Sequence, residues 1–386
     1  SCVVVDGDAA HRAELAESWP AADLVVTSYD LLRRDEALYE GQEFYACILD
    51  EAQAIKNHTT QKYKAVCKVR SRVRFALTGT PVENRLGELW SIFSFLMPGY
   101  LPPYKSFCSR FEKPIVQEED QTAVRRLNQL TGPFILRRMK SDVLKELPPK
   151  TENVYRIELE EEQRKLYLAA VVDAREKLQA AKPEDKMAVF AVLMRLREIC
   201  CDPRLIADNW EGGSAKLDAC AELVSSAVEG GHRILLFSQF TSMLELLAKR
   251  LDAEGISHFT LQGSTPKPVR AELVRRFNGG EVSVFLISLR AGGTGLNLTA
   301  ADIVIHYDPW WNVAAQNQAT DRAYRIGQQN PVQVYKLIAQ DTIEEKIVEL
   351  QQAKQSLADT VTGTADGAIL SMRPDELLQL LEGSEP

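Results

Sequence analysis

The chain has 386 residues, of which 45% are hydrophobic and 26% are charged. This composition is typical of globular proteins, and the length predicts two or three domains. The longest uncharged stretch, 89–104, contains three prolines and a glycine, so no membrane-spanning helix is expected. The net charge of −8 excludes a basic coat over the whole surface and leaves local patches for any nucleic-acid contact.

The first part of the chain, 1–145, alternates short apolar runs with polar helical stretches. A helical insertion is predicted near 90–130 within it. The apolar runs end in turns or polar clusters, which predicts buried strands at 2–5, 24–27, 46–49 and 75–77.

The middle of the chain, 146–210, is predicted to form a linker strand and a helical protrusion. Its residues 157–207 are rich in Glu, Gln, Leu, Arg and Ala, with apolar residues at helical spacing. Further on, 343–386 is assigned to C-terminal bracing helices.

Residues 211–342 show a clearer alternation of apolar runs and helical stretches. Helices are predicted at 242–254, 267–278 and 313–326. Strands are predicted at 234–237, 259–261, 284–287, 303–306 and 332–337. Because alternating strands and helices form parallel sheets covered on both faces, the predicted fold class is α/β with two lobes.

Two carboxylates, Asp50 and Glu51, follow the predicted strand at 46–49 directly. Ligands bind at the carboxyl ends of strands in open α/β sheets. Asp50 is therefore a candidate ligand of Mg²⁺ through the ion's water shell, and Glu51 is a candidate to polarise an attacking water. A solvated acidic pair at a strand end explains the same two residues equally well.

Two further loops follow apolar strands. The run Thr78-Gly79-Thr80-Pro81 suits a tight loop that relays between two sites, and it equally suits an ordinary helix start with Thr80 as cap. The run 288–298 carries three glycines in four residues, a pattern that lets backbone N–H groups approach a phosphate. Arg290 is a candidate phosphate contact, and a flexible connecting loop is the alternative.

Arg322 and Arg325 lie three residues apart in the predicted helix 313–326, so they are expected to share a helix face. Two guanidinium groups on one face are suited to clamp a transferring γ-phosphoryl group. A surface pair bound to Asp321 is the alternative. Basic clusters at 62–74, 137–140 and 195–197 are candidates for contacting a phosphate backbone, although a solvated helix face explains any one of them.

Taken in this order, the motifs resemble those of the Swi/Snf family of helicase-like, DNA-dependent ATPases. The resemblance covers nearly the whole chain. It rests on Thr27-Ser28-Tyr29, on Asp50-Glu51-Ala52-Gln53, on 77–84, on 134–143, on 196–203, on 236–240, on 263–265, on 291–298 and above all on 318–328.

The resemblance implies two RecA-like lobes, the first one incomplete, that close on ATP and step along duplex DNA. It implies catalytic roles for Asp50, Glu51, Arg322 and Arg325, with Asp50 holding Mg²⁺ through water. Roles in nucleotide binding or coupling are implied for Gln53, Thr78, Gly79, Thr80, Gly293, Gly295, Gln318 and Gln328. DNA contacts are implied for Thr27, Ser28, Ser238, Gln239, Arg290, Thr294, Asn297 and Trp311.

The expected cofactors are ATP and Mg²⁺, and the expected partners are double-stranded DNA and DNA-bound proteins. A cytoplasmic monomer without a membrane contact is expected, associated with the nucleoid if the source is prokaryotic. A non-catalytic DNA-binding or scaffolding module and an RNA-directed helicase are the alternatives. None of the 21 glycines precedes a lysine, so the sequence has no phosphate-binding loop of the G-x-x-x-x-G-K-[ST] type. The chain is therefore expected to lack the first part of lobe 1 and to be inactive alone.

Overall fold

The computed structural model describes residues 1–79, 86–118, 120–138, 140–144, 146–182, 185–207, 209–292, 295–351 and 374–382. These residues form two compact units, 1–136 and 137–351 together with 374–382. Within these ranges, no helix combines the length and the apolar character needed to cross a lipid bilayer.

The first unit contains, within its described residues, two pairs of parallel strands. They are β1 (Cys2–Val4) with β2 (Leu24–Val26), and β3 (Glu43–Leu49) with β4 (Arg70–Ala76). Leu49 lies opposite Ala76, so β3 and β4 end at the same edge. The α-helices among the described residues of this unit are α1 (Ala9–Glu17), α2 (Tyr29–Arg34), α3 (Glu36–Tyr39), α4 (Gln61–Lys68), α5 (Leu86–Leu96), α6 (Tyr104–Phe107), α7 (Lys113–Gln117) and α8 (Gln121–Thr131).

The described residues cover the strands of the first unit on one face only. Leu49 is buried in a core with Val66 and Phe95 from α4 and α5. Side chains alternate between the faces of a strand, and the opposite face exposes Ile48 and Phe75. The prediction of buried strands is therefore wrong for one face of the strands in this unit, because an apolar run does not reveal whether a second layer covers it.

The second unit contains a six-stranded parallel sheet with the order β5-β10-β9-β6-β8-β7. Every residue of its central strands β6, β8 and β9 is buried, as their apolar runs predict. The strands are β5 (Lys150–Ile157), β6 (Ile234–Ser238), β7 (His258–Leu261), β8 (Val284–Ser288), β9 (Ile303–His306) and β10 (Val332–Ala339). The predicted α/β class with parallel sheets is confirmed.

Helices pack around this sheet and extend from it. Two long helices, α10 (Glu161–Ala180) and α11 (Lys186–Cys201), confirm the helical prediction for 157–207. Both pack against the helix at 343–351 and against the last described helix. The helices of this unit are α9 (Lys140–Val143), α10 (Glu161–Ala180), α11 (Lys186–Cys201), α12 (Ala215–Glu229), α13 (Thr241–Ala253), α14 (Lys267–Asn278), α15 (Leu289–Gly292), α16 (Val313–Thr320), α17 (343–351) and α18 (Pro374–Glu382).

Candidate functional site

The carboxyl edge of β3 and β4 brings the first two predicted motifs together. Asp50 follows β3 directly, and Thr78 follows β4 by two residues. The backbone continues the pairing past both strands, because Leu77 donates to the Leu49 carbonyl (2.7 Å) and Ala52 donates to the Leu77 carbonyl (2.9 Å). Asp50 and Glu51 are both exposed at this edge.

A chain of side-chain hydrogen bonds joins Glu51 to Thr78 through Gln53. The Gln53 amide donates to Glu51 Oε2 (2.7 Å), and the Thr78 hydroxyl donates to Gln53 Oε1 (2.7 Å). Glu51 has a left-handed backbone conformation with φ of 49°, which is uncommon for a residue other than glycine. This turn aims the Glu51 carboxylate back at Gln53, so the two motifs form one connected site.

Tyr29 supports the same site from the start of α2, a role that the sequence reasoning missed. Its hydroxyl donates to the Asp50 backbone carbonyl (2.7 Å). Burial and the nearby charge of Asp50 raise the pKa of Tyr29, so the phenol keeps the proton that it donates. The available signal was its position just after β2, beside Thr27 and Ser28.

The neighbouring residues Thr27 and Ser28 lie at the end of β2. Ser28 caps α2 by accepting a hydrogen bond from the Leu31 N–H (3.2 Å), and it is exposed, whereas Thr27 is half-buried. Gly79 is exposed with open space beside its Cα. Thr80 lies outside the described residues.

The arginine motif of the second unit has a different local structure from the one predicted. Helix α16 ends at Thr320, and the following residues form a turn in which the Arg322 N–H donates to the Ala319 carbonyl (3.1 Å). Arg322 is buried, whereas Arg325 is exposed. The prediction that both arginines share a helix face is therefore wrong, because the chain leaves the helix before reaching them.

Two elements hold this arginine turn, defined as 321–327. Lys140, at the start of α9, contacts the Asp321 carboxylate (2.5 Å), donates to the Tyr324 carbonyl (3.1 Å) and lies 5.8 Å from the centre of the Tyr324 ring. The Leu298 N–H donates to the Arg322 carbonyl (3.0 Å). The turn is thus tied to the loop after β8 and to the segment before β5.

Gln328 closes the arginine turn from inside the fold. Its amide nitrogen donates to the carbonyls of Ala301 (2.7 Å) and Ala323 (3.1 Å), and its Oε1 accepts from two backbone N–H groups. The side chain is buried, and these four bonds use its full hydrogen-bonding capacity. The predicted nucleotide contact of Gln328 is corrected to a structural role.

Two predicted DNA contacts are also buried. Ser238 is inaccessible at the end of β6 and donates to Asp308 Oδ1 (2.6 Å). The Trp311 side chain is 6% exposed and packs against the Arg197 guanidinium. A covered hydroxyl and a covered ring offer no surface to a nucleic-acid chain, so both residues are corrected to core positions.

The remaining predicted residues of the second unit lie just after β6, in and after α15, and in α16. Asn297 and Gly295 are exposed, and Gln239 and Gln318 are half-buried. Gly295 has a φ of 41°, within the region that favours glycine. Gly293 and Thr294 lie outside the described residues, as does the side chain of Arg290.

Two family models together match most of the chain. Residues 2–205 match the family model of the SNF2-related domain, and residues 215–327 match that of the helicase conserved C-terminal domain. A protein of Mycoplasma pneumoniae named an uncharacterized ATP-dependent helicase is 39% identical over 376 residues, covering 96% of this chain and 36% of that protein.

Two further similarities extend to eukaryotes and archaea. The human SWI/SNF-related matrix-associated actin-dependent regulator of chromatin subfamily A member 1 is 35% identical over 398 residues, covering 98% of this chain and 38% of that protein. The solved SWI2/SNF2 ATPase core domain of Sulfolobus solfataricus is 34% identical with a TM-score of 0.53, covering 99% of this chain and 78% of that one. The chain thus spans less than two fifths of the length of these two curated relatives.

Proposed function

The chain belongs to the SNF2-related family of Swi/Snf-type, helicase-like ATPases with two RecA-like lobes, and from this we propose that the whole protein is an ATP-dependent translocase on double-stranded DNA. In this proposal, ATP hydrolysis coupled between the two lobes drives movement along the duplex and remodels protein–DNA complexes. The observation that carries it is the hydrogen-bonded chain Glu51–Gln53–Thr78 beside Asp50.

That chain of contacts suits hydrolysis of a phosphoanhydride. Glu51 is the proposed base, because its carboxylate is exposed and accepts a hydrogen bond from the Gln53 amide, which orients it. Gln53 links the position of Glu51 to Thr78, so a movement of the loop after β4 changes the orientation of the base. Thr78 is therefore the proposed coupling residue of this lobe.

The residues present fit a magnesium-bound nucleotide. Mg²⁺ is held in such sites by one or two carboxylates, waters and phosphate oxygens rather than by a protein cage. Asp50 provides one exposed carboxylate, and in the part of the chain that the structure describes no group of three or more potential ligands forms a closed metal site. Asp50 would hold the ion, and magnesium-bound ATP supplies the transferable phosphoryl group with partly neutralised charge.

Arg322 and Arg325 are the proposed cationic groups for the transferring phosphoryl group. Arg325 is exposed, whereas Arg322 is buried in this structure and has to become accessible to reach a phosphate. Arginine suits this role because its guanidinium stays charged and presents a planar set of donors. The arginine turn holds its shape through Gln328 and Lys140, so its backbone is preorganised. Preorganised charge lowers the barrier more than charge that must reorient during the reaction.

Support for duplex DNA as the track comes from the relatives. The human relative is named a regulator of chromatin, and chromatin contains duplex DNA. The exposed residues Ser28 and Asn297 remain candidate DNA contacts, together with the half-buried Thr27 and Gln239. Contacts to phosphates release counterions, so DNA binding is expected to weaken steeply as salt is raised.

The 386-residue chain by itself is proposed to lack ATPase activity. It contains no glycine followed by lysine, and therefore no phosphate-binding loop of the usual type. Such a loop and its lysine supply much of the nucleotide binding and charge neutralisation in these enzymes. Robust ATP turnover by the purified 386-residue chain would overturn this part of the proposal.

The test is ATP turnover by the whole protein with duplex DNA, single-stranded DNA, RNA or no nucleic acid. The Glu51→Gln variant serves as the matched inactive control, because it keeps the size of the side chain. Strong stimulation by duplex DNA that is lost in Glu51→Gln is the expected result. Stimulation by RNA alone indicates an RNA-directed helicase, and background turnover throughout indicates a non-catalytic binding module.

A further inference from the structure

A fully buried ion pair joins the helical segment α10–α11 to the sheet of the second unit. Arg197, in the last turns of α11, places its Nη2 3.2 Å from Asp308 Oδ2, and both side chains are 0% exposed. The same nitrogen donates to the Pro309 carbonyl (2.5 Å). The pair therefore links a helix to the segment that leaves β9.

Asp308 extends this link to β6. Its Oδ1 accepts from the Ser238 hydroxyl (2.6 Å) and from the Gln239 N–H (3.2 Å). The Arg197 guanidinium also lies 4.5 Å from the Trp311 ring centre and 5.6 Å from that of Phe240. One pair of charges thus orients three segments, α11, 238–240 and 308–311.

The physical cost of this arrangement argues for a role beyond stability. Two charges lose their hydration when they are buried, and well-packed apolar residues often stabilise a fold as well as such a pair does. Within the described residues, Arg197 Nε and Nη1 have no hydrogen-bond partner, so its hydration is only partly replaced. A charged pair adds directional specificity, because its hydrogen bonds are satisfied in one relative orientation of the two side chains.

The segment oriented by this pair leads into the arginine turn. Asn312 caps α16 by accepting from the Ala315 N–H (2.7 Å), one residue after Trp311. At the other end of α16, Thr320 is 2.8 Å from His306 Nε2 on β9. Helix α16 is thus anchored at both ends to the β9 strand and its extension, and the arginine turn follows it.

We infer that Arg197 and Asp308 are positioning residues that set the orientation of α16, and through it the position of Arg322. Both side chains are fully buried, so they are not proposed to contact the nucleotide. They also connect the helical segment to the arginine turn. A displacement of α11 is therefore expected to change the position of the proposed phosphate-binding arginines. This inference rests on the proposed function for its effect on turnover, but its structural half stands independently.

A second buried pair in the same unit provides a matched control. Lys216 of α12 and Glu344 of α17 are in contact and are both 0% exposed. Glu344 also accepts from the Ala339 N–H (2.9 Å) at the end of β10. This pair resembles the first in burial and charge, but its hydrogen bonds hold β10 and α17. Its contact with the segment before α16 is a ring contact, with Lys216 Nζ 5.5 Å from the centre of the Tyr307 ring.

The experiment compares three forms of the whole protein: wild type, Arg197→Met/Asp308→Leu and Lys216→Met/Glu344→Leu. Each double variant replaces both charges by apolar groups of similar size, which preserves folding better than removing one partner. We expect kcat with duplex DNA to fall at least about tenfold in the first variant, with KM for ATP within about twofold, because misplaced catalytic groups slow chemistry more than binding. The control variant keeps its kcat within about twofold.

Hydrogen–deuterium exchange over 313–325 gives a readout that needs no activity. It is expected to increase in Arg197→Met/Asp308→Leu and to stay unchanged in the control variant. Exchange and kcat that both match wild type in a folded Arg197→Met/Asp308→Leu protein overturn the inference. If wild type shows no turnover but the exchange difference is present, the proposed function fails while the positioning role holds.

The variant Arg197→Lys covers the case in which the double variant does not fold. Lysine keeps the charge but lacks the planar fork that reaches both Asp308 and the Pro309 carbonyl. A fall in kcat of at least about threefold with KM nearly unchanged is expected. An unchanged kcat together with unchanged exchange over 313–325 overturns the inference in this variant too.

Discussion

The two units place a strand phenylalanine in opposite environments. In the second unit, β6 is buried at all five residues, and Phe237 is inaccessible. In the first unit, β4 carries three arginines among its seven residues, and its Phe75 is 51% exposed. The difference lies in the packing around each strand, because the described residues of the first unit cover one face only.

The polar residues at the strand ends differ in the same way. Asp50 follows β3 and is exposed, whereas Asp308 follows β9 by two residues and is completely buried. The exposed carboxylate suits a ligand that binds reversibly, and the buried one suits a permanent structural contact. An acidic residue at a strand end therefore indicates a ligand site only when solvent reaches it.

The sharpest test of this comparison is the pair Phe237→Ala and Phe75→Ala. Removing a fully buried phenylalanine leaves a cavity, so Phe237→Ala is expected to lower the free energy of unfolding by about 3–5 kcal/mol. Phe75→Ala is expected to lower it by less than about 1 kcal/mol, because half of the ring is already in water. Denaturant unfolding of the chain measures both, and equal losses would show that β4 is covered on both faces.

The next effect concerns the exposed carboxylates. Glu51→Gln in the whole protein is expected to lower DNA-stimulated ATP turnover by about 10²-fold or more, because the amide accepts no proton from water. The exposed Glu40→Gln in the same lobe is the control and should keep wild-type turnover. Steady-state kinetics measure both variants, and a Glu51→Gln enzyme with normal kcat would remove Glu51 from the proposed mechanism.

The buried interior of the second unit predicts a pH effect. Burial lowers the pKa of His306 from its ordinary value of 6.5 to about 3, with the Lys336 charge contributing. The unfolded ring takes up a proton below about pH 6.5 while the folded ring stays neutral. The free energy of unfolding should therefore be unaffected by this group above about pH 7 and fall by up to ~1.4 kcal/mol per unit between about pH 6.5 and 3.

Unfolding curves from pH 7 to pH 4 measure this slope, and His306→Gln should reduce it. The exposed His11→Gln is the control and should leave it unchanged. A wild-type slope in His306→Gln means that other groups cause the acid sensitivity.

The smallest expected effect is at the arginine turn. Lys140→Met removes the contact with Asp321, in which both side chains are 41% exposed. Exposed pairs contribute little, so the free energy of unfolding should fall by less than about 1 kcal/mol, and by even less at high salt. Thermal unfolding at two salt concentrations measures this. A loss as large as that of Phe237→Ala would mean that Lys140 acts as a core contact.

Much of the architecture followed from local patterns. The strand at 284–287 and the helices of 157–207 were predictable because apolar periodicity reflects which face of an element is buried. The association of Glu51 with Thr78 was predictable in outline, because strands β3 and β4 are parallel and end together. The Swi/Snf family was predictable from motif order, with 318–328 as its most specific part.

Other features depend on residues that are distant in the chain. Trp311 packs against Arg197, which lies more than a hundred positions away, and the end of α16 at Thr320 coincides with a contact to His306 on β9. Residue order and spacing determine which side chains share a local element, and hence the fold class and the family. Whether a given polar group faces water or a buried partner is decided by long-range packing, because burial depends on everything that surrounds the group.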